Sequence, residues 1–255
     1  MKTLVITPTY GRLPFLGRLV ASFLSQTYDD KELVIVNDDP NVQIACNAKG
    51  VTCININKKI LVGQKRNLAT QLGYHDLYLH LDDDDIFLPN RIANNVRIHK
   101  ELPEINLYRN KMGYMIYGDD FYIEEGAINF VSYKRKGWFE AGGCAHDTNL
   151  FEDREFLEKM PNALQEDNLS QIDYVYNYGG INYHLSGATQ NGIDGIAMRQ
   201  LHQLKVMNGK FQIEPDFEEY DKFVTLDKLF KERNTLETNN SVKVIHKGLG
   251  KLDIA

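Results

Sequence analysis

The segment Leu79-His80-Leu81-Asp82-Asp83-Asp84-Asp85-Ile86-Phe87-Leu88-Pro89 sets four carboxylates in a row directly after an apolar run. Two unit charges about 4 Å apart repel by roughly 1 kcal/mol even in water. A chain that stacks four of them either sacrifices stability or keeps something cationic at that place. Residues 76–81, just before the acids, read as a short buried strand. Residues 89–102, just after, read as a helix that opens on a proline, which suits a first helical turn. The acids therefore occupy a strand-to-helix connection.

Upstream, the same unit recurs. Residues 3–10 (TLVITPTY) form a buried-strand pattern, and 13–26 a helix with Phe15, Leu16, Leu19, Val20 and Phe23 on one face. A second apolar strand, 31–39 (KELVIVNDD), also ends in acids, 51–57 alternates as a third, and 61–73 is helical with a stop at Gly73. Strands alternating with helices at this spacing imply a parallel sheet covered on both faces. Farther on the pattern changes. Residues 114–123 and 128–134 read as additions to the sheet, and 137–147 (GWFEAGGCAHD) as a glycine-rich loop. Helices are expected over 148–159, 167–177 and 194–207, then a charged segment from 211 with a helix near 225–234 and a weak strand at 242–246.

The 255 residues, 43% of them hydrophobic, suffice for one large domain. A net charge of −6 argues against a broad surface for duplex nucleic acid. No apolar run approaches the ~18 residues of a membrane span, and the longest, LPFLGRLVASFL, is broken by Arg18. Cys46, Cys53 and Cys144 are scattered without metal-ligand spacing, which points to free thiols in a reducing, cytoplasmic setting. The basic tail 243–251 (KVIHKGLGK) reads first as a solvated end, with a contact for an anionic acceptor or a membrane surface, and so a peripheral association, as the other reading.

Ligands of open parallel sheets bind beyond the carboxyl ends of the strands. Here those ends carry Thr9, Tyr10 and Arg12, then Asn37, Asp38 and Asp39, then Asp82 to Asp85. Hard cations such as Mg²⁺ and Mn²⁺ prefer carboxylate oxygen and often bridge one or two carboxylates to substrate phosphates. The plainer alternative is a solvated acidic turn at the start of the next helix.

The segments VITPTYGR, LVIVNDDP, VGQKRNLA and LDDDDIFLP stand in the order and spacing of the family 2 glycosyltransferases, and the chain resembles that family over roughly residues 1–180. MIYGDD, TNLFEDREFLEKM and ALQEDNLSQI continue the resemblance. It implies an α/β, GT-A (Rossmann-like) fold, a mostly parallel central sheet flanked by helices. The GT-A domain would span 1–210, with a nucleotide-sugar half (1–118) and an acceptor half (119–210), followed by a small extension over 211–255. It also implies a metal-dependent, inverting transfer from a nucleotide sugar, with UDP as the nucleotide, to a glycan, lipid or other hydroxyl acceptor.

Carried over by position, the resemblance places Thr7, Pro8, Thr9 and Tyr10 along the nucleoside pocket and Arg12 near the phosphates. Asp38 would accept the imide hydrogen of uracil, and Arg66 would pair with base or diphosphate. Asp84 becomes the ligand of Mn²⁺ or Mg²⁺ and Asp82 the ribose or bridging acid, while Asp83 and Asp85 can exchange these roles because the run leaves the register open. His184 reads first as an ordinary satisfied histidine, and second as a candidate to complete the metal sphere. Asp167, with Glu166 beside it, would be the catalytic base at a helix start, although acids also suit an ordinary helix start. Trp138, the single tryptophan, is a candidate to stack on an acceptor sugar or to pack in the core. Lys65 reads as solvated, and His146-Asp147 as loop.

Three other readings compete. Tyr117-Gly118-Asp119-Asp120 has the letters of an RNA polymerase hairpin, but this length and charge leave little room or field for template and primer. A sugar-nucleotide nucleotidyltransferase would usually open on a glycine-rich phosphate loop, which TPTYGRLP is not. An inactive glycan- or protein-binding module of the same fold is opposed by the intact Asp82, Asp84, Arg66, Glu166 and Asp167 set.

Overall fold

In the computed structural model, residues 1–117, 120–125, 130–145, 152–177 and 206–238 are described. The first half runs β1 (Thr3–Thr9), α1 (Leu13–Leu24), β2 (Lys31–Asn37), β3 (Ile44–Ala45), β4 (Val51–Asn55) and α2 (Val62–Gln71). Next come β5 (Leu77–His80), β6 (Ile86–Phe87), α3 (Arg91–Glu101), β7 (Leu107–Asn110), β8 (Met112–Tyr117) and β9 (Asp120–Glu125). The remainder is β10 (Val131–Tyr133), α4 (Arg135–Glu140), α5 (Glu152–Lys159), β11 (Ala163–Glu166), β12 (Tyr174–Asn177), β13 (Val206–Met207), β14 (Lys210–Gln212) and α6 (Phe217–Thr238).

Seven strands form the main sheet in the order β11-β7-β10-β5-β1-β2-β4. β1 is parallel to both β2 and β5, and β2 to β4. Only β10 opposes its neighbours, β5 and β7, so β7 and β11 run the same way as β5. Six of the seven carboxyl ends therefore share one edge of the sheet, as the alternating sequence predicts. Burial of both faces explains the unbroken apolar pattern of β1, whose seven residues are all buried. On one face Val5, Leu33 and Leu79 pack with Leu16, Leu19 and Phe23 of α1; on the other Leu4, Ile6 and Tyr78 pack with Ala69 of α2 and Phe156 of α5.

Several expectations need correction. Residues 167–177 are not a helix: a three-residue 3₁₀ turn, Leu169–Gln171, leads into β12, which pairs with β8 and β6. GWFEAGG begins as helix α4 before its glycines turn the chain. Residues 114–123 divide into the β8–β9 hairpin, where Tyr117 opposes Asp120; Gly118 and Asp119 lie outside the described residues. The expected boundary at 210 falls at the start of β14, which pairs with β3. Helix α6 packs Tyr220, Phe223 and Leu226 against Ala21 and Tyr114, so this helix is built into the same body. The expected helix over 194–207, apart from its last two residues, the strand at 242–246 and the basic tail lie outside the described residues. Among the described residues no helix is long and apolar enough to cross a membrane.

Candidate active site

The four aspartates face in three directions. Arg66 Nη2, from α2, donates to Asp82 Oδ1 at 2.8 Å. Asp83 accepts from Thr9 Oγ1 at 2.6 Å and from Arg12 Nη1 at 2.7 Å. The second nitrogen of the Arg12 fork donates to Asp84 Oδ2 at 2.7 Å. Asp85 turns inward, where it accepts from the Tyr174 hydroxyl at 2.6 Å and the Asn177 amide at 3.0 Å. Asp82 is the most open of the four, with 30% of its side chain exposed against 4% for Asp84. Burial, with Asp84 and Asp82 adding to it, pushes the Asp85 carboxyl well above the usual range. Burial also holds Asp83 up at about 6, against the pull of Arg12. Two guanidinium groups, a Tyr hydroxyl and a carboxyl that favours its proton thus answer the repulsion within the run.

The end of β2 supplies the neighbouring wall. Asp38 is fully buried, with Lys65 Nζ donating to Oδ1 at 2.6 Å and the Ile60 amide to Oδ2 at 2.8 Å. Lys65 also reaches the Thr9 carbonyl at 3.0 Å. Lys65 is therefore an internal cation rather than a solvated one, because α2 lies across the ends of β1 and β2. The signal missed in the sequence was the buried acid at the end of β2, which demands a cation. Gly11 turns the chain out of β1 at φ +62°, with its amide on Asn37 Oδ1, and delivers Arg12 to the acids. Thr7 and Pro8 lie inside β1, and the Thr7 hydroxyl is buried and, among the described residues, has no hydrogen-bond partner. Tyr10 is exposed at the rim, its ring 4.6 Å from Lys59 Nζ.

Glu166 and Asp167 arrive from the far side of the sheet. Leu79, Ser132, Tyr108 and Leu164 form one row across β5, β10, β7 and β11. Asp82 and Asp167 each stand three residues beyond this row, on strands running the same way. They are separated by three strand spacings, or about 14 Å along the edge. Glu166 is committed: the Tyr108 hydroxyl donates to it at 2.8 Å and Asn168 Nδ2 at 3.2 Å. Asp167 has 59% of its side chain exposed and lies 2.9 Å from Lys111 Nζ. Asn110, which the sequence reading passed over, fixes this turn by donating to the carbonyls of Asn168 and Gln171 and accepting from the Asn168 amide.

Trp138 is not an exposed stacking platform. It is buried, and its indole N–H donates to Asn67 Oδ1 at 3.0 Å. The same oxygen accepts from the Cys144 amide at 2.8 Å, while Asn67 Nδ2 donates to the Cys144 carbonyl at 2.9 Å. Asn67 thus clasps residues 138–145 to the helix that carries Lys65 and Arg66. The clasp needs Gly63, where an added Cβ would stand 2.0 Å from the Ala145 carbonyl oxygen. Gly63→Ala is expected to lower stability by about 1–3 kcal/mol, the usual range for overpacking. Thermal unfolding followed by the fluorescence of the single tryptophan would check this; an unchanged midpoint would contradict it.

Asp82 and Asp84 offer the hard oxygen donors that Mg²⁺ or Mn²⁺ requires, and the place already accepts a cation in Arg12. Among the described residues no group of three or more His, Cys, Asp or Glu is arranged to hold a metal ion. His184, His146 and Asp147 lie outside the described residues.

Comparisons with known proteins bear on the family and the fold. The profile of glycosyl transferase family 2 matches residues 4–160. An uncharacterized glycosyltransferase of Haemophilus influenzae is 24% identical over 184 residues, covering 64% of this chain and 62% of that protein. The uncharacterized glycosyltransferase YwdF of Bacillus subtilis is 31% identical over 96 residues, covering 36% of each chain. The chain thus spans less than two thirds of the length of either relative. Among solved structures, S. aureus TarS 1–349 in complex with UDP superposes with a TM-score of 0.54 at 13% identity, over 70% of this chain and 61% of that one. The same TarS fragment with UDP-GlcNAc also gives 0.54, at 14% identity, over 74% and 62%. The shared architecture is the GT-A fold. The matched segment begins in β1, takes in the acidic turn and runs to the end of α5, so the chain belongs to glycosyl transferase family 2.

Proposed function

We propose that the chain is a metal-dependent, inverting glycosyltransferase that moves a sugar from a nucleotide donor to a hydroxyl acceptor by a single displacement. The observation that carries this reading is the common edge: Asp38, Arg66, Asp82, Asp84 and Asp167 all lie at the carboxyl ends of parallel strands, or on the helix beside them. UDP is the nucleotide to test first, since the TarS fragment of the same fold is described with UDP and UDP-GlcNAc.

Asp38 and Arg66 hold the nucleotide; each is already oriented by a partner, Lys65 and Asp82 respectively. The planar fork of Arg12 suits phosphate oxygens as well as it suits the two carboxylates it now joins. Asp82 and Asp84 would hold the divalent ion, which supplies charge neutralisation for the departing diphosphate when bound. Asp167 takes the acceptor proton as the acceptor oxygen attacks the anomeric carbon on the face opposite the diphosphate. Its exposure and its place about 14 Å along the edge from Asp82 leave room between them for a sugar and an acceptor hydroxyl. Glu166, held by Tyr108, orients the turn that carries this base.

Asp167→Asn is expected to bind UDP and Mn²⁺ as the wild type does while turnover falls about 10²- to 10⁴-fold, the usual share of general-base catalysis. Calorimetry and a UDP-release assay measure the two halves separately. Binding that does not depend on metal in the wild type would sink the reading. Metal-dependent incorporation from nucleoside triphosphates would transfer it to a nucleotidyltransferase.

A further inference from the structure

Arg18, Ser22 and Gln26 are buried polar residues spaced four apart along α1 and the residues just past its end. That spacing lines them up on one face of a helix. Each bonds the main chain of the segment that starts in the acidic turn. Ser22 Oγ donates to the Phe87 carbonyl and accepts from the Phe87 amide, both at 2.9 Å. Gln26 donates to the Leu88 carbonyl at 2.9 Å and accepts from the Ile92 amide at 3.1 Å. Arg18 Nη2 donates to the carbonyl of Asp84 itself, at 2.6 Å.

Arg18 stands apart in this seam. Its guanidinium lies over two rings, 4.9 Å from the centre of Phe15 and 5.4 Å from that of Phe223 on α6. The residue is 92% covered, and among the described residues Nε has no hydrogen-bond partner. A cation in such a place costs desolvation, and an aliphatic residue would fill the space between two phenyl rings without that cost. What the cation provides is a charge-assisted bond to one main-chain oxygen, at the aspartate whose carboxylate faces Arg12.

We propose that Arg18 is a positioning residue that fixes the main chain of Asp84, and that α6 supports the donor site by holding Arg18 through Phe223. The seam would set the direction of the Asp84 carboxylate from behind while Arg12 meets it from the front. Its consequence for donor binding rests on the function proposed above; the positioning itself does not.

Amide hydrogen exchange on the ligand-free protein tests the positioning directly. In Arg18→Met, exchange over residues 84–88 is expected to quicken roughly ten- to a hundredfold, as for loss of a hydrogen bond to a charged group, with β1 unchanged. UDP binding in the presence of Mn²⁺ is expected to weaken by a similar factor, and Arg18→Lys to recover part of the loss. Phe223→Leu keeps apolar bulk and removes the ring face; it should quicken the same amides by roughly threefold and serves if Arg18→Met does not fold. Unchanged exchange over 84–88 in these variants, or an equal rise in β1, overturns the proposal. If the wild type binds no UDP with Mn²⁺, the functional reading fails, and the exchange result still decides the positioning.

Discussion

Asp84→Ala abolishes metal-dependent donor turnover while the protein stays folded: that is the expected result with the largest functional effect. Losing the carboxylate on the metal side removes several kcal/mol of stabilisation from the departing diphosphate, a fall of at least about 10³-fold. The fold survives because Asp84 uses its side chain on Arg12, and Arg12 keeps its 2.7 Å bond to Asp83. Removing one of four neighbouring acids also relieves repulsion. Asp85→Ala should behave in the opposite way. It removes the acceptor of the Tyr174 hydroxyl and of the Asn177 amide, a loss of about 1–3 kcal/mol in stability, and it bears on β12 rather than on the donor. Release of UDP from nucleotide sugars, which needs no acceptor, and thermal unfolding compare the two. Turnover within tenfold of wild type in Asp84→Ala would overturn its assignment.

Lys65→Met carries the largest expected loss of stability. It strands the Asp38 carboxylate, which is fully buried and, among the described residues, accepts besides Lys65 only from the Ile60 amide. Breaking a buried pair in this way costs about 3–5 kcal/mol. For a chain of this size that lowers the unfolding midpoint by about 10 °C. Adding Asp38→Asn should restore most of the loss, because the amide removes the unpaired charge and can still accept from Ile60. The double variant is expected to bind the nucleotide base more weakly, because Asp38→Asn removes the carboxylate proposed to meet it. Chemical denaturation of the two variants is the check; a loss under about 1 kcal/mol in Lys65→Met would show that the pair is better solvated than its burial implies.

The contrast between these two sites shows how much of the chemistry was legible beforehand. Asp38 and the acidic run stand in the sequence next to the apolar strands that present them, so local pattern placed them at the strand ends, whereas Arg66, on α2, was singled out only by the family resemblance. Lys65 beside Arg66 did not read as internal, since adjacent helix residues differ in burial only through what the helix packs upon. Trp138 had a stacking role as one of its readings, and the clasp around Asn67, 71 residues away, buries it instead. The segment 167–177 has helix-compatible composition, yet pairing with β8 makes its end a strand, a long-range contact that local propensity does not contain.

By itself the sequence determined the alternation of strands and helices, hence a parallel sheet, and it put the acids at the strand ends, where such sheets bind ligands. Only the tertiary structure decided what each of four identical carboxylates does. Asp82 meets α2, Asp83 and Asp84 meet Arg12, and Asp85 meets β12, because each turn of the chain aims successive side chains at different neighbours. Identical side chains carry no local information about their partners, and only packing tells them apart.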